Sequence, residues 1–232
     1  LVEIKGLEKF SPRDFPGVIS ATVFLGSCNF RCPFCHNAGL VLNPDDLPTF
    51  PMEYFVHFLD SRTDWLEGIC ITGGEPLIHP DLAEFLSLLK ERDLLVKLDT
   101  NGSFPSRLED LIVKNLVDWI AMDVKAPLEK YVDVVGTSVD VKNIQKSIEI
   151  IRGSGKEYMF RITAVPGLID KTDIMEIGRM LDGARMFQIQ PFVPENTLDP
   201  AFERLKPFKR KEMQELGNSI ESFFSEVRIE EA

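Results

Sequence analysis

The sequence has few of the features that would place it outside a reducing, soluble setting. Its 232 residues include only four cysteines, and three of these fall between Cys28 and Cys35, too close together to pair evenly as disulfides. No apolar run approaches the roughly 18 residues that a membrane-spanning helix needs, and no secretory pattern opens the sequence. Basic residues are outnumbered, 26 Lys and Arg against 37 Asp and Glu, for a formal charge of −11. A chain so balanced lacks the basic face of a nucleic-acid or anionic-membrane binder. There is no low-complexity tract, linker or internal repeat, so the expectation is a single domain over residues 1–232, with a core at about 15–195 and a helical extension at about 196–232. These absences together point to a cytoplasmic protein. The sequence opens on Leu1 rather than Met, which leaves room for residues ahead of it.

What is present is a rhythm of strand then helix. Apolar or alternating runs at Val18–Leu25, Gly68–Thr72, Leu95–Asp99, Trp119–Asp123, Tyr158–Thr163 and Phe187–Gln190 predict strands. Between them, Leu82, Phe85, Leu86 and Leu89 form an i, i+3, i+4, i+7 stripe. Ser106-Arg-Leu-Glu109 has the form of a capping box for a helix with Leu108, Leu111, Ile112 and Leu116 inside. Val141, Ile144, Ile148 and Ile151 mark another helix, and Ile174, Ile177 and Leu181 the next. Six β/α units predict an α/β fold with a parallel sheet and right-handed crossovers. Six are too few to close an eight-fold barrel, so the sheet should form a partial (β/α)6, TIM-like barrel. Chemistry in such sheets gathers at the carboxyl ends of the strands.

Directly after the first of these runs comes Cys28-Asn-Phe-Arg-Cys32-Pro-Phe-Cys35-His36-Asn37. Thiolates suit zinc or iron–sulfur clusters, and a closed structural zinc site wants four protein ligands. Three thiolates leave one position open, which favours a 4Fe-4S cluster on Cys28, Cys32 and Cys35 with one iron free for a ligand that is not protein. A zinc site completed by His36 or Cys70, in a non-catalytic adaptor, is the rival reading. The other strand ends are also polar. Thr72-Gly73-Gly74-Glu75-Pro76 offers backbone that a ligand can approach closely and a carboxylate suited to an ammonium group, although Gly-Gly before Pro is also an ordinary turn. Asp99-Thr-Asn101-Gly102 and Asp123-Val-Lys125 read as a polar turn and a surface ion pair, or as two sides of one pocket. Arg161 and Gln190 lie on the fifth and sixth strands, where an arginine can hold a carboxylate.

The Cys-x3-Cys-x2-Cys spacing, with aromatic Phe34 before its last cysteine, resembles the signature of the radical S-adenosylmethionine (radical SAM) enzymes. Ser11-Pro-Arg-Asp-Phe-Pro-Gly17 and Cys35-His36-Asn37 resemble, more narrowly, the glycyl-radical-enzyme activases. Within those, the phrase Cys28 to Asn37 is most similar to the anaerobic ribonucleoside-triphosphate reductase activating proteins. The resemblance spans about Lys5 to Asn196 and implies the radical SAM partial barrel, one 4Fe-4S cluster and S-adenosylmethionine. It implies cofactor contacts from Phe34, Gly73, Gly74, Glu75, Asp99, Asn101, Asp123, Lys125, Arg161 and Gln190, and a monovalent cation near Asp99 and Asp123. The chemistry it implies is reductive cleavage of S-adenosylmethionine to a 5′-deoxyadenosyl radical, which takes a hydrogen atom from a glycine Cα of a partner glycyl radical enzyme. The reductant would be a flavodoxin or ferredoxin. The pattern departs at the sixth strand end, where a histidine is usual and Gln190 stands. A radical SAM enzyme acting on a small molecule, such as a 7-carboxy-7-deazaguanine synthase, is the nearest alternative, but its cysteine loop runs on into Cys-Asp-Thr.

Overall fold

The computed structural model describes residues 2–230. Its eight strands follow one another in sequence order, β1 to β8, in a sheet that is parallel from β2 to β4 and from β6 to β8. Contacts divide the chain into two compact units, one made of residues up to Asn29, Gly39–Thr100 and Ser106–Ile120, the other of Phe30–Ala38, Asn101–Pro105 and the chain from Ala121 onward.

The first unit holds β1 (Ile4–Ser11), β2 (Ser20–Leu25), most of α1 (Ala38–Leu42), α2 (Met52–Asp60), β3 (Gly68–Gly73), α3 (Leu82–Lys90), β4 (Leu95–Thr100), most of α4 (Pro105–Val113) and the first residues of β5 (Trp119–Asp123). Parallel pairing runs from Ser20↔Gly68 to Leu25↔Gly73 and from Gly68↔Leu95 to Ile71↔Leu98. Alternate side chains of a strand face opposite ways. Val23, Leu25, Ile69, Ile71, Val96 and Leu98 therefore share one fully buried apolar face, and Thr22, Cys70 and Lys97 form a row in register on the other. The α3 stripe buries Leu82, Phe85, Leu86 and Leu89, the four residues that its helical spacing selects.

The second unit holds the end of β5, α5 (Tyr131–Val135), α6 (Val141–Gly153), β6 (Glu157–Ala164), α7 (Lys171–Met180), β7 (Ala184–Pro191), α8 (Arg210–Asn218) and β8 (Phe224–Ile229). β6 pairs with β7 from Phe160↔Phe187 to Ala164↔Pro191, and β7 with β8 from Ala184↔Phe224 to Ile189↔Ile229. Helix α6 is capped by the Asp140 side chain and buries Ile144, Ile148 and Ile151; α7 opens on an Asp170/Asp173 capping box.

All six strands predicted from apolar runs are present. Three features differ from expectation. β1 adds an antiparallel strand ahead of the series. The region 196–232 is not wholly helical, because β8 follows α8 and extends the parallel series. Both extra strands are half-exposed edges with charged side chains, Glu8 and Lys9 on one and Glu226 and Arg228 on the other. Such charges protect an edge from further pairing and erase the apolar run by which a strand is recognised. Lastly, α4 begins at Pro105, so Ser106 lies inside the helix; proline suits this first position because its missing N–H has no intrahelical partner there.

Candidate functional site

In the first unit, Gly73-Gly74-Glu75 is a strap laid against the end of β2. Gly74 N–H donates to Leu25 O at 2.9 Å and Glu75 N–H to Ser27 O at 2.9 Å. Gly73 sits at φ +117°, where a Cβ would lie 2.3 Å from Leu25 O, and a Cβ on Gly74 would lie 1.8 Å from Ser27 O. The room these glycines leave is taken by the backbone leading into Cys28, and that is the approach for which they are needed. Glu75 is 0% exposed. Its Oε1 accepts from Leu77 N–H at 3.0 Å and from Thr100 Oγ1 at 2.8 Å, which fixes the carboxylate across the ends of β3 and β4. His79 places Nε2 2.9 Å from Gly26 O, so it tethers the segment ahead of Cys28 as well as ending its own turn.

In the second unit, Cys32-Pro33-Phe34-Cys35 is a β-turn closed by Cys35 N–H to Cys32 O at 3.0 Å, with Pro33 at the position where a fixed φ favours the turn. Phe34 is buried. The turn is braced from far along the chain: Leu198 N–H donates to Cys35 O at 3.0 Å, Asp199 N–H to Pro33 O at 2.9 Å, and, on the other flank, Arg31 N–H to Val135 O at 2.8 Å. Gly136, at φ +66°, lets α5 end hard against Arg31, whose carbonyl would lie 2.5 Å from a Cβ there.

Beside this turn stands an ion triad. Asp123 Oδ1 accepts from Arg161 Nε at 2.8 Å and Oδ2 from Lys125 Nζ at 3.0 Å. Burial alone would push the Asp123 carboxyl up, but Arg161 and then Lys125 hold it well below the usual carboxylate range. Burial likewise works against the Lys125 ammonium, which Asp123, with a smaller contribution from Cys32, keeps charged. Burial pushes the Cys35 thiol up, partly offset by the Asn37 backbone and by the positive field of Lys125. Tyr131 Oη accepts from Lys125 N–H at 3.3 Å and ties α5 to the same place.

The remaining predicted residues have partners of their own. Asn101 accepts through Oδ1 from Ser103 N–H at 2.9 Å and Ser103 Oγ at 2.6 Å, the polar-turn arrangement. Asp99 is paired with Lys97. Gln190 Nε2 donates to Glu230 Oε2 at 3.0 Å, as does Gln188 at 3.1 Å. Sequence reasoning did not single out Lys97, Tyr131, Gly136, the 197–199 brace or Glu230. Among the described residues, no three His, Cys, Asp or Glu side chains converge as a single-ion site.

The signature of the Radical SAM superfamily matches residues 22–180, a stretch that contains the cysteine loop, the glycine strap, Asp99, Asp123, Lys125 and Arg161. The chain belongs to the radical SAM superfamily. A protein of Methanocaldococcus jannaschii, provisionally named a glycyl-radical enzyme activating enzyme, is 34% identical over 97% of this chain and 95% of its own length. The pyruvate formate-lyase-activating enzyme of Streptococcus mutans is 27% identical over 82% of this chain and 76% of its own. Among solved structures, Streptococcus suis SuiB bound to S-adenosylmethionine shares the fold at a TM-score of 0.69 and 16% identity, over 89% of this chain. This chain spans only 48% of that protein. The mostly parallel, open α/β sheet is thus the radical SAM fold, and the chain is an enzyme. No helix among the described residues is long and apolar enough to cross a membrane.

The radical SAM family implies a 4Fe-4S cluster and S-adenosylmethionine, and the residues present suit both. The loop supplies three soft sulfur donors, two of them on one rigid turn, and a cluster needs no convergence on one ion because its thiolates sit on different irons. Lys125 supplies a positive field that partly offsets the burial raising the Cys35 thiol.

Proposed function

We propose that this chain is a glycyl-radical-enzyme activase whose target is an anaerobic ribonucleoside-triphosphate reductase. Cys28, Cys32 and Cys35 hold the 4Fe-4S cluster. When bound, cluster and S-adenosylmethionine together supply a 5′-deoxyadenosyl radical, the species that removes a hydrogen atom from a glycine Cα; the bond-breaking chemistry belongs to the cofactors. The chain's own residues bind and orient. Glu75, held by Leu77 and Thr100, presents a carboxylate to the methionyl ammonium. Lys125 and Arg161, sharing Asp123, leave a surplus of positive charge that suits a carboxylate. Gly73 and Gly74 seat the glycine strap against the segment before Cys28. Phe34, Asp99, Asn101 and Gln190 are further candidates for cofactor contact, with electrons from a flavodoxin or ferredoxin and the cytoplasm as the compartment.

The observation that carries this reading is the end-to-end likeness to the Methanocaldococcus jannaschii protein, supported by Cys35-His36-Asn37 and the phrase around it. The experiment is anaerobic. The reconstituted, reduced protein is given S-adenosylmethionine and assayed for 5′-deoxyadenosine, with and without a candidate anaerobic reductase, while the reductase is watched for a glycyl EPR doublet. Cleavage with a reductase-dependent doublet is the expected result. Cleavage without the doublet overturns the assigned partner and moves the search to other glycyl radical enzymes or a small-molecule substrate. No cleavage by a fully loaded cluster overturns the whole reading.

A further inference from the structure

Lys97 is the least expected charged residue in the protein. It lies in the middle of β4 and is only 2% exposed, a placement that lysine adopts only when its charge is met. Lys97 and Asp99 stand two apart on one strand and so share a face; the ammonium bonds the Asp99 carboxylate. Nζ also lies 3.5 Å from Sγ of Cys70, its register partner on β3, and 5.5 Å from the centroid of the Trp119 ring. A carboxylate and an aromatic face thus lie against one positive charge, as they would against a small bound cation. Asp123 has side-chain cations of its own in Lys125 and Arg161.

We propose that the ammonium of Lys97 permanently fills the place of a bound monovalent cation at Asp99, so that the protein requires no such ion. In this proposal Lys97 takes the role that the expected cation near Asp99 would have. Each carboxylate is met by a cation from within the chain, without an exchangeable ion. The proposal rests on the charge balance around Asp99 and holds whichever substrate the enzyme acts on.

The test compares melting temperatures of the anaerobically purified protein in potassium, sodium and choline chloride at matched ionic strength. Choline is too large for the site. The unmodified protein should melt within about 1 °C in all three salts. Lys97→Ala should melt about 10 °C lower in choline, the scale for losing one partner of a buried pair in a chain of this size. It should then regain several degrees, saturably, in potassium or ethylammonium chloride. Lys97→Ala/Asp99→Asn should lose that response. If Lys97→Ala does not fold, Lys97→Met replaces it: adding Asp99→Asn should recover at least half of the lost stability, and failure to do so would mean that Lys97 only fills space. Two results overturn the proposal: a saturable rise in the melting temperature of the unmodified protein with potassium or sodium that Asp99→Asn abolishes, or a Lys97→Ala variant as stable as its parent. Because the readout is melting, failure here is separable from failure of the activase assignment.

Discussion

Replacing Asp123 by Asn tests whether the ion triad at the cysteine turn is structural as well as electrostatic. The carboxylate is 24% exposed, Arg161 13% and Lys125 16%, which places the triad nearer the buried limit, where breaking a pair costs about 3–5 kcal/mol, than the surface limit of about 0–1 kcal/mol. An amide keeps one acceptor for one cation and turns its NH2 toward the other, so about 3 kcal/mol is the expected loss. For a chain of this size that corresponds to a fall in melting temperature of about 6–12 °C. The pH dependence should change in a defined direction. The folded Asp123 carboxyl lies below its ordinary value of 3.8. Its contribution is therefore complete above that value and is lost as pH falls through the folded value. Asp123→Asn should lose little further stability from this position between pH 5 and pH 3, whereas the parent should lose its advantage at the acid end. Urea unfolding at a series of pH values, followed by circular dichroism, reads both effects. A variant as stable as the parent at neutral pH, or one whose deficit stays constant down to pH 2, would refute the reasoning.

Gly74→Ala should cost about 3 kcal/mol, since the new methyl meets Ser27 backbone that cannot rotate away; Gly153→Ala, on α6 with nothing within 4 Å, should be neutral or up to about 1 kcal/mol stabilising, and calorimetry of the pair checks both. Burial holds the Cys35 thiol protonated above its ordinary 9.0. Cluster loading, which needs the thiolate, should therefore improve as pH rises from 7 to 8.5, by about tenfold per pH unit for each thiol that must ionise. Lys125→Met should weaken loading at any fixed pH in that range, measured as iron and sulfide per chain. Glu230→Ala should shift melting by less than about 2 °C, because the residue is exposed. If Gln190 contacts the nucleoside, the same change should also weaken S-adenosylmethionine binding by a few-fold in calorimetric titration.

The sequence announces the parts of this protein that obey local rules. β2, β3 and β5 are short, mostly buried apolar runs, as strands covered on both faces are, β4, β6 and β7 mix apolar with polar positions, and α3 and α6 show their inner stripes residue by residue. The cysteine spacing is legible for the same reason: Cys32 and Cys35 belong to one turn. Residues whose roles depend on distant backbone are hidden. Gly73 and Gly74 look like an approach for a ligand, yet the atoms nearest to them are Leu25 O and Ser27 O. Lys97 looks like the solvent-facing member of an alternating strand, because alternation tells which face a residue takes and not whether that face is dry. Gln190 stands at a strand end, where ligand contacts are expected, but Glu230, forty residues later, holds its amide.

The brace on the cysteine turn sets an order of events for a chain made from its N-terminus. Cys32 and Cys35 leave the ribosome early, but the groups that hold their turn are Val135 and, much later, Leu198 and Asp199. A growing chain offers its sulfur donors long before it can fix them in place. The final geometry of the turn therefore waits for Leu198 and Asp199, and a nascent chain stalled before Leu198 would carry its cysteines on a loop without that brace.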